Sequence, residues 1–279
     1  AMVGDDPSGE GQQRAIERLG AELTERYRTV APTIGLLPDE VSLNAMPRLA
    51  SPLTAVFGVG DDDLAPTGLD LTDGNAVIAG PGRSGRTTAL AAVAVALARA
   101  AAPPELYVVT PRRRELEPYV RWDGAGFGED DATALLQGLV DRINEQGCPP
   151  NGIVVVVDDL QDLVEGRADT PLLALVKLSR DQLVRIVAAG ENVPLRRGGY
   201  NAIGELKKDK TGLLLQPEMD SDGDILGASL PRRAVLRFPV GRGFVVRRGL
   251  HELFQVALPD EPPVGSTPAG STPKRGAST

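Results

Sequence analysis

The run Gly80-Pro-Gly-Arg-Ser-Gly-Arg-Thr-Thr88 sets two glycines five residues apart and follows them with a cation and two hydroxyls. Residues of these types at this spacing can hold a polyphosphate. Gly80 and Gly85 let the backbone curl until successive N–H groups converge on phosphate oxygens. The N-terminus of a helix starting there would add its positive dipole end to the same anion. The pattern is G-x-x-x-x-G-K-[ST], so Gly80, Pro81, Gly82, Arg83, Ser84, Gly85, Arg86, Thr87 and Thr88 are all candidate nucleotide-binding residues. Thr87 supplies the hydroxyl expected to reach Mg2+. The lysine position holds Arg86, which keeps the charge but presents a broad planar fork instead of a compact ammonium.

A second group of residues completes that chemistry. Ile153-Val-Val-Val-Val157 is an unbroken β-branched run, as expected of a central strand buried on both faces, and it ends at Asp158-Asp159. Ligands of open α/β sheets sit just past the carboxyl ends of the strands. Asp158 is therefore the second candidate metal residue, acting through the Mg2+ water shell. ATP and Mg2+ are the expected cofactors.

These residues need strands and helices to position them. Ala76–Ala79 reads as the strand before the glycine loop, and Ala89–Ala102 as the helix after it. Glu105–Thr110 is a buried strand, ended by Pro111 and the basic run Arg112-Arg113-Arg114. Glu129–Gln146 is a helix with Ala134, Leu135, Leu139, Val140 and Ile143 inward, stopped by Gly147 and Pro149. Further pieces are helices over Leu172–Arg180 and Tyr200–Leu206 and strands over Leu183–Ala189, Leu213–Leu215 and Leu253–Leu258. Ahead of them, Leu53–Leu71 suggests a hairpin, and Gln12–Val30 carries an apolar helical stripe at Ile16, Leu19, Leu23, Tyr27 and Val30. The aspartates at 61–63 and 220–224 lack the further ligands of a calcium loop and read as turns.

Composition excludes several functions. The 279 residues hold one cysteine, Cys148, and one histidine, His251, so disulfide frameworks, cysteine cages and serine–histidine triads are ruled out. A formal net charge of −8 argues against a whole-chain electrostatic grip on nucleic acid. There is no uncharged apolar run long enough to span a bilayer. The expected organisation is a linker and helix over 1–30, a globular domain over 31–258, and a disordered tail rich in Pro, Gly, Ser and Thr over 259–279.

In the order of its pieces the chain resembles an ATPase domain of the FtsK/SpoIIIE superfamily. More narrowly it is similar to the C-terminal ATPase modules of EccC-type proteins of actinobacterial type VII secretion. The resemblance rests on Gly80–Thr88, Ile153–Asp159, Leu178-Ser-Arg-Asp181 and Leu213-Leu-Leu-Gln216. It rests further on Asp222-Gly-Asp-Ile-Leu-Gly227, Pro239-Val-Gly-Arg-Gly-Phe244 and Gln255-Val-Ala257, and covers roughly 33–258. It implies a RecA-like P-loop NTPase domain, an α/β fold with a mostly parallel central sheet and flanking helices. It also implies a cytoplasmic module, tied to the membrane through the rest of a longer protein. The implied partners are neighbouring ATPase modules of that chain or oligomer and the signal peptide of a secreted substrate.

Active members of the family carry lysine where Arg86 stands and a water-polarising glutamate where Asp159 stands. Their phosphate-sensing stretch is replaced here by Ala188-Ala-Gly-Glu-Asn192. No catalytic residue is therefore expected, Asp159 being vestigial, and the reading is an ATP-binding, catalytically degenerate terminal module with a regulatory or substrate-recognition role. The alternatives are an active hexameric FtsK-like DNA translocase and a nucleotide-free interaction scaffold.

Overall fold

Short apolar runs bounded by glycine, proline or charge become the strands, and their order decides where the site can lie. A computed structural model describes residues 3–27, 35–112, 114–231 and 238–260. These fall into two units, one within 1–36 and one from Leu37 onward.

The first unit is helix α1 (Gly9–Arg26). The Ser8 hydroxyl caps it by accepting from the Gly11 N–H at 3.0 Å. Ile16, Leu19, Leu23 and Tyr27, the expected stripe, are exposed on it. The expected continuation to Val30 falls outside the described residues.

The second unit is built on ten strands: β1 (Thr54–Gly60), β2 (Pro66–Asp70), β3 (Ala76–Ala79), β4 (Glu105–Thr110), β5 (Gly124–Phe127), β6 (Ile153–Val157), β7 (Val184–Gly190), β8 (Gly212–Leu215), β9 (Arg242–Arg247) and β10 (Leu250–Val256). They form one sheet in the order β2-β1-β10-β9-β8-β3-β7-β6-β4-β5. From β8 through β5 every pairing is parallel, and from β2 through β8 every pairing is antiparallel. The site needs only the parallel half. All five residues of β6 are buried, because β7 and β4 pair with its two edges and helices cover both faces.

The helices of this unit are α2 (Arg86–Ala98), α3 (Glu129–Gln146), α4 (Leu160–Val164), α5 (Asp169–Leu178), α6 (Asn192–Arg197) and α7 (Ala202–Leu206). Helix α2 packs in one core layer with β1, Ile78 and Val156; α3, α5 and α7 share the other layer with Val77, Val155 and Val157. Alternate residues of β3 and β6 thus serve opposite layers.

Several details differ from expectation, among them the strand expected over Leu253–Leu258, which runs Leu250–Val256, and the helix expected over Leu172–Arg180, which runs Asp169–Leu178. Helix α2 starts at Arg86 and stops at Ala98, so Arg86, Thr87 and Thr88 of the loop are in its first turn. On α3 the buried set is Ala132, Leu136, Leu139, Val140 and Ile143, while Ala134 is exposed. The spacing of four from Ala132 to Leu136 carries the stripe half a turn from where Ala134 would have put it. The aspartates over 220–225 form a 3₁₀ helix rather than a simple turn. Residues 232–237 and the expected tail from 261 onward lie outside the described residues.

At the opposite edge of the parallel strands from the glycine loop, buried Arg185 ties the connections together. Its guanidinium donates to the carbonyls of Leu71 (2.6 Å), Thr72 (2.6 Å), Ser179 (3.0 Å), Gln182 (2.9 Å) and Val184 (2.8 Å). Asn75 adds a bond to the Ser179 hydroxyl at 3.0 Å and accepts from the Ile186 N–H at 2.9 Å. The turns before β3 and β7 are thereby fixed to one another.

Candidate nucleotide-binding site

At the carboxyl ends of β3, β6 and β7 lies a cleft of about 770 Å3. Gly82, Arg83, Gly85, Arg86, Thr87 and Thr88 line one side of it, and Asp158 and Asp159 another. The two groups of residues singled out from the sequence are thus brought together. Of the remaining loop residues, Ser84 is fully buried, and a Cβ at Gly80 would stand 2.4 Å from its Oγ. Gly80 therefore has to be glycine for the loop to close over Ser84. Among the described residues the buried Ser84 Oγ has no hydrogen-bond partner.

Gly85, at φ +98°, makes the turn from loop into helix. The loop is braced from the antiparallel half of the sheet, where the Gly241 N–H donates to the Ser84 carbonyl at 2.9 Å. A side chain at Gly85 would meet Gly241 N and Val240 Cγ1, each at 3.2 Å. Val240, which lines the cleft, is 60% exposed.

The Thr87 hydroxyl donates to Asp158 Oδ2 at 2.7 Å, and the Asp159 N–H donates to Asp158 Oδ1 at 2.9 Å. Burial pushes the Asp158 carboxyl above its usual range; the neighbouring Asp159 carboxylate raises it further, against the Thr87 hydrogen bond and the Arg86 charge. A hydroxyl and a carboxylate at this separation are hard oxygen donors of the sort Mg2+ takes when phosphates and water complete its shell. These residues fit the cofactor.

Arg86 takes a course the sequence does not reveal. Its Nη1 donates back to the Gly80 carbonyl at 2.7 Å, and its Nη2 lies 3.6 Å from Asp159 Oδ1 and 3.8 Å from Glu191 Oε1. One guanidinium thus links the ends of β3, β6 and β7. Asp159, at φ +48°, turns the chain from β6 into α4 and directs its carboxylate to this cation.

Residues missed by sequence reasoning complete the lining: Arg112, Glu115, Gln161, Asp162, Glu191 and Val240. Arg112 Nε bonds Asp162 Oδ2 at 2.8 Å, and burial pushes the Asp162 carboxyl up against that ion pair. Gln161 Nε2 donates to Asp159 Oδ1 at 3.4 Å, and its Oε1 accepts from the Glu191 N–H at 3.3 Å. Glu191 directly follows the end of β7 and Arg112 stands two residues past the end of β4, the signal by which they could have been found. Val240 enters from the antiparallel half and carries no such signal. The described lining holds three arginines against five carboxylates.

By sequence, no protein-family model matches the chain and no curated protein matches it. By structure, the cytoplasmic domain of the Thermomonospora curvata type VII secretion ATPase EccC matches 93% of this chain with a TM-score of 0.69 at 20% identity. The structure of T. curvata EccC (ATPases 2 and 3) in complex with a signal sequence peptide matches 93% at TM-score 0.70 and 20% identity. The cytoplasmic domain of EssC matches 92% at TM-score 0.63 and 19% identity. The chain has the fold of a P-loop ATPase domain. It spans 33%, 51% and 55% of those three longer structures, so it corresponds to part of each. No helix among the described residues is long and apolar enough to cross a membrane.

Proposed function

We propose that the chain is an ATP-binding, catalytically degenerate module of an EccC-like type VII secretion translocase. The observation that carries this is the joining of Thr87 to Asp158 at the mouth of a glycine loop, within a fold shared with EccC and EssC. The residues that hold a nucleotide are assembled, with Gly80–Thr88 cradling the phosphates and Thr87 and Asp158 serving the metal. When bound, Mg2+ would neutralise phosphate charge. The acidic lining makes that neutralisation a condition of binding.

The residues that would turn ATP over are not poised to do so. Asp159 is one methylene shorter than the family's glutamate and faces Arg86. A misplacement of about 1 Å at such a group costs about 100-fold in rate. Regulation or substrate recognition, performed beside neighbouring ATPase modules in the cytoplasm, fits a module that binds without hydrolysing. The peptide bound to EccC ATPases 2 and 3 supports a secreted signal peptide as the second partner.

The pairing of basic residues at 112, 114, 196 and 208 speaks against duplex DNA. Arg112 is paired with Asp162, Arg114 with Glu117, Arg196 with Asp222 and Lys208 with Glu205. Phosphate-driven binding needs several cations free to meet phosphate on one face, and each of these already has a carboxylate beside it.

The test is a thermal shift with Mg·ATP. Ligand at 100 times its dissociation constant stabilises by about 2.7 kcal/mol. Gly85→Val, which fills the turn against Gly241, and Thr87→Val, which removes the metal hydroxyl, should each lose the shift. No shift in the parent chain would leave the interaction scaffold as the better account.

A further inference from the structure

Beside the main cleft, and sharing Thr87, Thr88 and Glu115 with it, lies a smaller one of about 290 Å3 whose other lining residues are Pro118 and Tyr119. The two differ in chemistry. The main cleft is charged almost throughout, and Val240 is the only apolar side chain among its described lining residues. Among its described lining residues the smaller one offers a ring, a pyrrolidine and two threonine side chains, with Glu115 as the one charged group, shared with the main cleft.

The segment that carries Pro118 and Tyr119 is held in place. Leu116 is 1% exposed in the core, and the Trp122 indole N–H donates to its carbonyl at 3.1 Å. The Tyr119 N–H donates to the same carbonyl at 3.4 Å, and Tyr119 and Trp122 pack against the α2 core layer. A pre-formed aromatic surface thus stands next to the first turn of α2.

A nucleotide has the same division into a charged triphosphate and a planar heteroaromatic base. We propose that the smaller cleft is the nucleobase subsite, with Tyr119 as the stacking platform and Pro118 beside it. The inference rests on the nucleotide reading above and adds to it where the base lies and what holds it. Thr87 and Thr88 form the junction, since both line the two clefts at the helix N-terminus that would face the phosphates. Stacking on a ring is tolerant of base identity, and loss of the ring typically costs tenfold or somewhat more in affinity.

Titration calorimetry on the full chain with Mg·ATP and, separately, Mg·tripolyphosphate tests this. The parent should bind ATP roughly tenfold more tightly than tripolyphosphate. Tyr119→Ala should erase that advantage while leaving tripolyphosphate affinity unchanged, which also reports that the variant is folded. Tyr119→Phe should keep the advantage. Equal binding of the two ligands by the parent, or an advantage that survives Tyr119→Ala, would overturn the subsite while leaving the nucleotide reading intact. A parent that binds neither ligand would remove both.

Discussion

The Arg86 guanidinium donates to the Gly80 carbonyl at 2.7 Å, so the first residue of α2 reaches back to the first residue of its own loop. Its second nitrogen meanwhile faces Asp159 and Glu191. An arginine can do this because its fork has several donors in one plane, whereas an ammonium is a point charge. The residue nominally meant for the terminal phosphates is thus engaged by the protein itself.

Arg86→Lys should therefore tighten Mg·ATP binding, because no fork has to leave the Gly80 carbonyl before phosphate enters. Calorimetry should show a several-fold gain in affinity. Weaker binding by the lysine variant would mean that Arg86 itself grips phosphate.

Asp158 should make stability depend on pH. Its carboxyl is raised above the usual 3.8, chiefly by burial, so the folded protein holds that proton more tightly than the unfolded chain does. The ionised form consequently costs stability at neutral pH, and the cost disappears as pH falls through the raised value and below 3.8. Asp158→Asn should melt higher than the parent at neutral pH, and the gap should narrow on acidification. A gap that widens in acid would contradict the assignment. The same variant should lose the Mg2+-dependent part of ATP binding.

Much of this arrangement was legible because strand ends are readable. The β-branched run of β6 and the glycine loop after β3 fix which side chains gather at one edge of the sheet, and the Thr87–Asp158 contact follows. Strand β5 was not legible. Gly124-Ala-Gly-Phe127 has little β propensity and is made a strand by pairing with β4 at the sheet edge. Helices α4 and α6 are single short turns set by the loops around them, and Pro194 with flanking charge hides α6. The course of Arg86, the approach of Val240 and the place of Tyr119 depend on which distant segments the topology brings together, and local pattern does not encode that.

Arg185 should be the most costly single side chain at the edge away from the site. Arg185→Met removes a donor shared by five carbonyls, and each buried acceptor left unpaired costs about 1–3 kcal/mol before relaxation. Urea unfolding should show a loss of about 3 kcal/mol or more. A loss under about 1 kcal/mol would mean that water replaces the guanidinium and that the staple contributes little.

The partner prediction separates a secretion module from a DNA pump. Fluorescence anisotropy should show a labelled signal peptide binding with little change between about 50 and 200 mM salt, because peptides dock in grooves through apolar anchors. Duplex DNA should bind weakly and lose that binding over the same range. Tight duplex binding at the higher salt without a peptide signal would put the translocase first.

The most direct test of the central claim is the fate of the bound nucleotide. The purified chain is loaded with Mg·ATP radiolabelled at the γ-phosphate, freed of excess ligand, and sampled over time for retained ATP, ADP and released phosphate. Binding without hydrolysis predicts retained nucleotide that stays ATP, with phosphate release no faster than from Asp158→Ala. Steady phosphate release that Asp158→Ala abolishes, or no nucleotide retained at all, would contradict it.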